Sequence, residues 1–248
     1  MSGSITLENR FGVNKMELIS LKYAIFVIVL LVLYYCFPKK YRWYVLLAGS
    51  MAYYVIICKW YVLFIIFTIC TTYGSTIWID KLLKEQNAIV KSHKEDWDRQ
   101  TRKEYKEKGR KKRVAVMLFA LLCNFGILAF LKYIPYAGEL GLLLPLGISF
   151  YTFQSMGYVM DVYREIVEPE KNFLKVALFA SFFPQIIQGP IAIYDKLAGQ
   201  LYEGHSLRLE NLQKGALLVL WGVIKKLVIA DRAVNTVSYT HLTLPTKG

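Results

Sequence analysis

Acidic side chains are scarce in this chain, and so are the residue patterns on which soluble enzymes commonly rely. Asp and Glu number 18 against 31 Lys and Arg, a formal charge of +13. The four cysteines (Cys36, Cys58, Cys70 and Cys123) stand singly in apolar surroundings. They form no CxxC pair, zinc spacing or disulfide framework, so they read as packing residues. Only three histidines occur. His93 lies in a charged stretch and His205 in LYEGHSLRLE, both in the manner of surface loops, and His241 lies near the C-terminus. No Ser/His/Asp arrangement, P-loop, GxGxxG or metal-ligand spacing stands out. No cleavable signal peptide is evident, because residues 1–17 are polar and nearly neutral and the apolar run after them is long enough to remain a span.

What the chain has instead is apolar bulk. Hydrophobic residues make up 55% and aromatics 15%, and the mean hydropathy is positive, values that mark an integral membrane protein. The positive charge does not point to nucleic acid, because the basic residues sit in loops beside apolar spans. Spans are expected at about Leu18–Phe37, with Lys22 snorkelling from one end, then Trp43–Ile57, Trp60–Ile79 and Val114–Leu131. A tight turn at Cys58–Lys59 separates the second from the third. PKKYR (Pro38–Arg42) and the charged stretch Asp80–Arg113 then share one side, and both are strongly basic. Residues 1–17, Cys58–Lys59 and Lys132–Glu139 share the other, with almost no net charge. The asymmetry places the basic loops in the cytoplasm and the N-terminus outside. Asp80–Arg113 reads as a helical segment of mixed charge, with Glu104/Lys108 and Glu107/Lys111 at i,i+4 spacing. It suits either a solvated connection or contact with anionic headgroups or an acidic carrier protein.

Beyond Leu131 the plain hairpin pattern stops. Gly141–Met160 is apolar but holds Pro145, Gly147, Ser149, Gln154 and Gly157; Phe173–Ile193 is interrupted by Pro184, Gly189 and Pro190; Leu212–Ala230 contains Lys225–Lys226. Such segments read as broken, re-entrant or interior helices, because helix breakers at membrane depth are tolerated only where protein or a water-filled cavity surrounds them. The fold class expected is therefore all-α: a polytopic integral membrane protein with broken or re-entrant helices. Tyr151, Gln154, Tyr158 and Asp161 recur at i, i+3, i+7 and i+10, on one helical face, and Arg164 lies within reach of an ion pair with Asp161. That face suits either a substrate tunnel or the hydrogen bonds that hold a bundle together. Gln185 and Gln188 stand beside Pro184 and a break at Gly189–Pro190, whose freed backbone groups suit either a substrate or a structural kink.

The segments LPLGISFYTFQSMGYVMDVYRE, SFFPQIIQGPI and GALLVLWGVIKKLVIADR, in this order, resemble the membrane-bound O-acyltransferase (MBOAT) family. The likeness is to the branch of the alginate and peptidoglycan O-acetyltransferase membrane subunits. It implies a multi-helix fold with a tunnel through the bilayer, in a bacterial cell membrane. An acyl group from a cytoplasmic donor, such as acetyl-CoA or an acyl carrier, would pass to a polysaccharide hydroxyl. A periplasmic or cell-surface acyltransferase partner would often complete the transfer, and no bound cofactor, metal or nucleic acid is implied. By resemblance Gln154, Asp161, Tyr163, Arg164, Gln185, Gly189 and Pro190 belong to the regions near the tunnel, in supporting or positioning roles. D-alanyl transfer to teichoic acid is the alternative within the family, and a transporter or non-catalytic scaffold the alternative outside it. Two departures stand out: the family's catalytic histidine, in an RWHxS-like stretch, has no counterpart here, and Ile193 stands where an arginine is expected.

VSYTHLTLPTKG, from Val237 to Gly248, breaks abruptly with the apolar run before it. VSYTHLTLPT is what one reading frame of a common transposase sequencing adapter encodes. The expectation is that residues 1–236 are the N-terminal part of one MBOAT transmembrane domain and that residues 237–248 are translated adapter. Genomic DNA read across the codons for Ala230–Gly248 should then continue into further hydrophobic segments carrying the histidine. A genomic stop after Gly248 would favour a degenerate or scaffold role.

Overall fold

The computed structural model describes residues 21–93, 97–133, 147–225 and 228. The start of the first span at Leu18, Pro145, most of the Lys132–Glu139 connection, Lys226, His241 and the Val237–Gly248 tail lie outside the described residues. Every regular element among the described residues is helical. In order these are α1 (Leu21–Cys36), α2 (Arg42–Cys58), α3 (Val62–Ser92), α4 (Arg99–Tyr133), α5 (Ile148–Tyr163), α6 (Phe173–Ser181), α7 (Phe183–Gln188), α8 (Tyr194–Tyr202) and α9 (Leu209–Ile224). Short 3-10 turns, Lys39–Tyr41 and Lys59–Tyr61, join α1 to α2 and α2 to α3.

Apolar runs rich in Ile, Val and aromatics would suit strands in water, but in a bilayer a lone segment satisfies its backbone only as a helix. Pro38 stops α1, and the positive φ of Lys59 (47°) turns the chain between α2 and α3. The stretch Lys39–Ser92 and the stretch Arg99–Tyr133 are long and apolar enough to cross a membrane, with window hydropathies of 2.1 and 2.6. Leu21–Cys36 and Phe173–Ile186 are shorter apolar helices. The exterior is greasy: Ile28 and Val32 of α1, Leu63 and Trp78 of α3, and Phe119 and Leu122 of α4 are all exposed, as side chains meeting lipid would be.

The charged stretch Asp80–Arg113 is not a separate element. α3 continues more than three turns past Ile79, and α4 begins about four turns before Val114, so both helices outrun the apolar segment as one antiparallel hairpin. The expected Glu104/Lys108 and Glu107/Lys111 pairs do not form among the described residues. The i,i+4 pairs are Lys84–Asp80 at 2.5 Å and Lys81–Glu85 at 3.9 Å, both on α3. The register is constant along the hairpin, with Thr71 meeting Asn124 in the apolar part and Gln86 meeting Gly109 in the charged part. At membrane depth Asn124 donates to Thr71 Oγ1 and to its own helix at Ala120 O, each at 2.9 Å.

α5 is the interior helix. Nine of its sixteen residues are buried, and it packs on α3, α4 and α6. The small hydroxyls of Thr68, Thr72 and Thr76 let α3 serve as the wall of this core, since Thr72 and Thr76 bond back to carbonyls of their own helix, at 2.6 and 2.9 Å. α9 departs from the expected broken or interior form: its described length is unbroken and none of it is buried. The α-helix ends at Ile224, and Lys225 stands in a π-helical turn with its ammonium 5.3 Å from the Trp221 ring.

Gly147 opens α5 with a left-handed φ of 70° and lies against the Ile186 backbone, 2.5 Å from where a Cβ would sit. Gly147→Ala is expected to destabilise the protein by about 1–3 kcal/mol, read as a lower melting temperature in detergent. Gly126→Ala, where an added Cβ meets nothing within 4 Å, should leave it nearly unchanged.

Candidate functional site

The break in SFFPQIIQGPI falls at Phe182. Its ψ of 105° ends α6, and α7 restarts at once with Pro184 in its first turn, where a missing N–H does no harm. An unbroken helix would pair the Phe183 N–H with the Phe179 carbonyl. Here that rung is open, and each half finds a side chain from another helix. Gln154 Nε2 of α5 donates to Phe179 O at 2.8 Å, and Phe183 N–H donates to Ser50 Oγ of α2 at 3.4 Å. All four groups lie in buried residues. At membrane depth such replacement is obligatory, because no water is present to take the freed groups.

The expected polar face of α5 is real and points inward. Tyr151, Gln154 and Tyr158 are each at most 5% exposed. Gln154 is spent on the helix break. Tyr158 OH accepts the Glu170 N–H at 2.8 Å, and its ring stacks on Tyr194 with centroids 4.1 Å apart. Tyr151 stands edge-on to Tyr54 at 6.2 Å. The Tyr54 and Tyr151 hydroxyls lie beside one another and the Cys58 thiol, yet neither makes a hydrogen bond of ordinary length and angle. The Ser155 hydroxyl one turn along α5, the Tyr53 hydroxyl on α2 and Gln185 Oε1 on α7 are likewise buried and unspent. Buried polar atoms are normally bonded, so this membrane-depth patch between α2, α5 and α7 retains hydrogen-bonding capacity.

The other predicted residues scatter. Asp161, Tyr163 and Gly189 are half-buried, whereas Arg164 and Pro190 are exposed. The Gly189 N–H caps α7 by bonding Gln185 O at 2.9 Å. No Asp161–Arg164 ion pair forms. The chain turns through a Schellman cap there: Ile166 N–H bonds Asp161 O and Glu165 N–H bonds Val162 O, each at 3.0 Å, with Glu165 in the left-handed region at φ 63°. Glycine is the usual occupant, and a side chain there costs about 1 kcal/mol. The turn aims Glu165 at α4 instead, where its Oε1 takes Arg113 Nη1 at 2.8 Å. These partners stand 52 residues apart in sequence, beyond the reach of a spacing argument.

Beside this cap Tyr158, Tyr194 and Tyr202 form an array with Glu170 and Lys175. Tyr202 OH donates to Lys175 O at 2.9 Å, and Lys175 lies 3.6 Å from Glu170 and 4.9 Å from the Tyr202 ring. Burial pushes the Tyr194 hydroxyl up to about 12, against a smaller opposing effect from the Tyr202 hydrogen bond, and burial raises Tyr202 further. Both remain neutral donors at physiological pH. The two described histidines are peripheral. His93 stacks on Trp97 at 4.9 Å in the hairpin tip, and exposed His205 gives its carbonyl to Arg42. Ile193, the position where an arginine was expected, is exposed at the start of α8. Ser50, Tyr54, Asn124 and the Arg113–Glu165 pair were not singled out from sequence; Asn124, an amide inside an apolar span, carried the clearest signal.

Comparison with known proteins finds curated bacterial proteins similar to parts of this chain. The probable alginate O-acetylase of Pseudomonas syringae is 40% identical over 89 residues, 36% of this chain and 17% of that protein. The peptidoglycan O-acetyltransferase of Helicobacter pylori is 30% identical over 48% of this chain and 30% of its own length. The probable alginate O-acetylase of Azotobacter vinelandii is 33% identical over 53% of this chain and 25% of its own. These likenesses support an MBOAT-like acyltransferase family. The matched region spans less than a third of the length of these curated relatives. No family model and no solved structure matches the chain.

Gln154→Leu is expected to leave the Phe179 carbonyl unpaired and to cost about 1–3 kcal/mol, seen as a lower unfolding midpoint in micelles. Unchanged stability would show that Gln154 does not sustain the break.

Proposed function

We propose that this chain takes part in a bacterial membrane O-acyltransferase. In this reading an acyl group, most simply acetyl, passes from a cytoplasmic donor across the bilayer to a hydroxyl of a cell-envelope or secreted polysaccharide. The observation that carries the proposal is that relatives from several bacteria are named for O-acetylation of glycans, alginate in some and peptidoglycan in another. The donor would be acetyl-CoA or an acyl carrier, and a periplasmic or cell-surface partner would complete transfer to the polymer. The excess of basic residues in Pro38–Arg42 and the hairpin supports a multi-pass arrangement with both on the cytoplasmic side.

Forming the ester requires a base within hydrogen-bond reach of the acceptor hydroxyl and a polarised thioester. Tyr151, Gln185 and the neighbouring hydroxyls offer donors and acceptors that can orient these groups. They are not bases at neutral pH, and the two described histidines stand at the surface. The base in this proposal therefore comes from outside the described residues, in the manner of the family's downstream histidine, and residues 21–225 supply scaffold and positioning.

The reading is tested by deleting the gene in its source bacterium and measuring ester-linked acetate and D-alanine in the envelope and secreted polysaccharides. Loss of acetate is expected. Loss of D-alanine alone would transfer the proposal to teichoic acid, and no loss of either would favour a transporter or scaffold. Purified residues 1–236 should show no acyl transfer above background.

A further inference from the structure

The charged half of the hairpin borders an open cavity of about 630 Å³ between α3, α4 and the turn after α5. Lys103, Lys106, Arg110 and Arg113 all line it. Their spacing of three, four and three residues puts four cations on one face of α4. Runs of charge on a helix ordinarily face solvent, where water screens their repulsion. Here Lys103, Lys106 and Arg110 are exposed along the rim of the cavity, and Arg113 at its inner end is buried. Against it stand Glu107 and Glu165, so the lining keeps a surplus of positive charge.

Arg113 is the decisive residue. Its side chain is only 10% exposed, one end of the guanidinium is held by Glu165, and its buried Nε has no hydrogen-bond partner. An unspent donor on a buried cation is costly unless a ligand takes it. Gln86 fixes the wall opposite. Gln86 Nε2 is drawn onto the Lys106 carbonyl at 2.9 Å, and its amide lies over Gly109, where a Cβ would stand 2.5 to 2.7 Å from it. Two guanidinium and two ammonium side chains lining one space suit the several oxygens of a phosphate or diphosphate better than the single pair of a carboxylate.

We propose that this cavity binds a phosphate-bearing anion, held by Arg113 and Arg110 with Lys103 and Lys106. The site stands apart from the acyl-transfer reading and would hold whether or not that reading does. Two sources share the chemistry. The deep end of the stripe, Arg113, adjoins the point where α4 turns apolar at Val114, within reach of an anionic lipid headgroup. The outer end opens to soluble phosphates.

The test uses the full chain in nanodiscs of phosphatidylcholine, titrated calorimetrically with inorganic pyrophosphate at fixed ionic strength. A parallel sample contains phosphatidylglycerol, with retained lipid counted by native mass spectrometry. Lys106→Gln with Arg110→Gln, both at exposed positions, is expected to weaken binding by about tenfold or more, the effect of losing a charge-assisted hydrogen bond. Lys108→Gln with Lys111→Gln removes the same charge outside the cavity and should change it by less than about threefold. Glu165→Gln should tighten it, by freeing Arg113 and removing a carboxylate. Phosphatidylglycerol that is retained and competes with pyrophosphate identifies a lipid site, whereas pyrophosphate binding unaffected by it identifies a soluble ligand. Equal weakening in both double variants, or retention of neither probe, would overturn the proposal.

Discussion

A helix broken inside a bilayer has nowhere to send its backbone groups but to protein. The open rung between Phe179 and Phe183 meets that demand with two side chains on two other helices, Gln154 of α5 and Ser50 of α2. The break at Phe182 is therefore a three-helix junction, and the positions of α2, α5 and α7 relative to one another follow from it. The nearby unspent hydroxyls and the Gln185 amide oxygen sit where they do because the junction draws polar residues into an otherwise apolar interior.

The rest of the bundle obeys the same rule in milder form. Helices in lipid gain nothing by exchanging one apolar neighbour for another, so small residues and polar contacts decide which faces meet. The Thr/Ser stripe of α3 satisfies its hydroxyls internally and presents little bulk, and Asn124 reaches across to Thr71. The large aliphatic side chains are left on the outside, the reverse of a water-soluble domain.

Much of this was legible in the chain. The second span was expected within a residue of the bounds of α2, and the inward face of α5 followed from the spacing of Tyr151, Gln154 and Tyr158. Gly189 and Pro190 marked the end of α7 at Gln188, whereas the further break at Phe182 was not marked and Pro184 opens the helix after it. The ends of α3 and α4 were not legible, because charge shows where the bilayer ends and says nothing of where helical hydrogen bonding ends. Nor was the partner of Glu165: a residue in the left-handed region can aim its side chain anywhere, and sequence spacing favoured Asp161 with Arg164. The role of Gln154 was open between tunnel and structural bond. Its amide is occupied by a carbonyl that exists as a free acceptor only because the chain breaks some 25 residues later.

Helices that run without a break from solvent into the apolar core also have a mechanical meaning. At 1.5 Å per residue, α3 and α4 are rods of about 46 and 52 Å, well beyond the roughly 30 Å of bilayer hydrocarbon. They are pinned to each other near both ends, at Gln86 and at Asn124. A pinned pair of rods moves as a lever. A rigid rod tilted at its exposed arm would tilt by the same angle at the Thr-lined wall against which α5 rests, so a movement of the charged tip would be felt in the buried core.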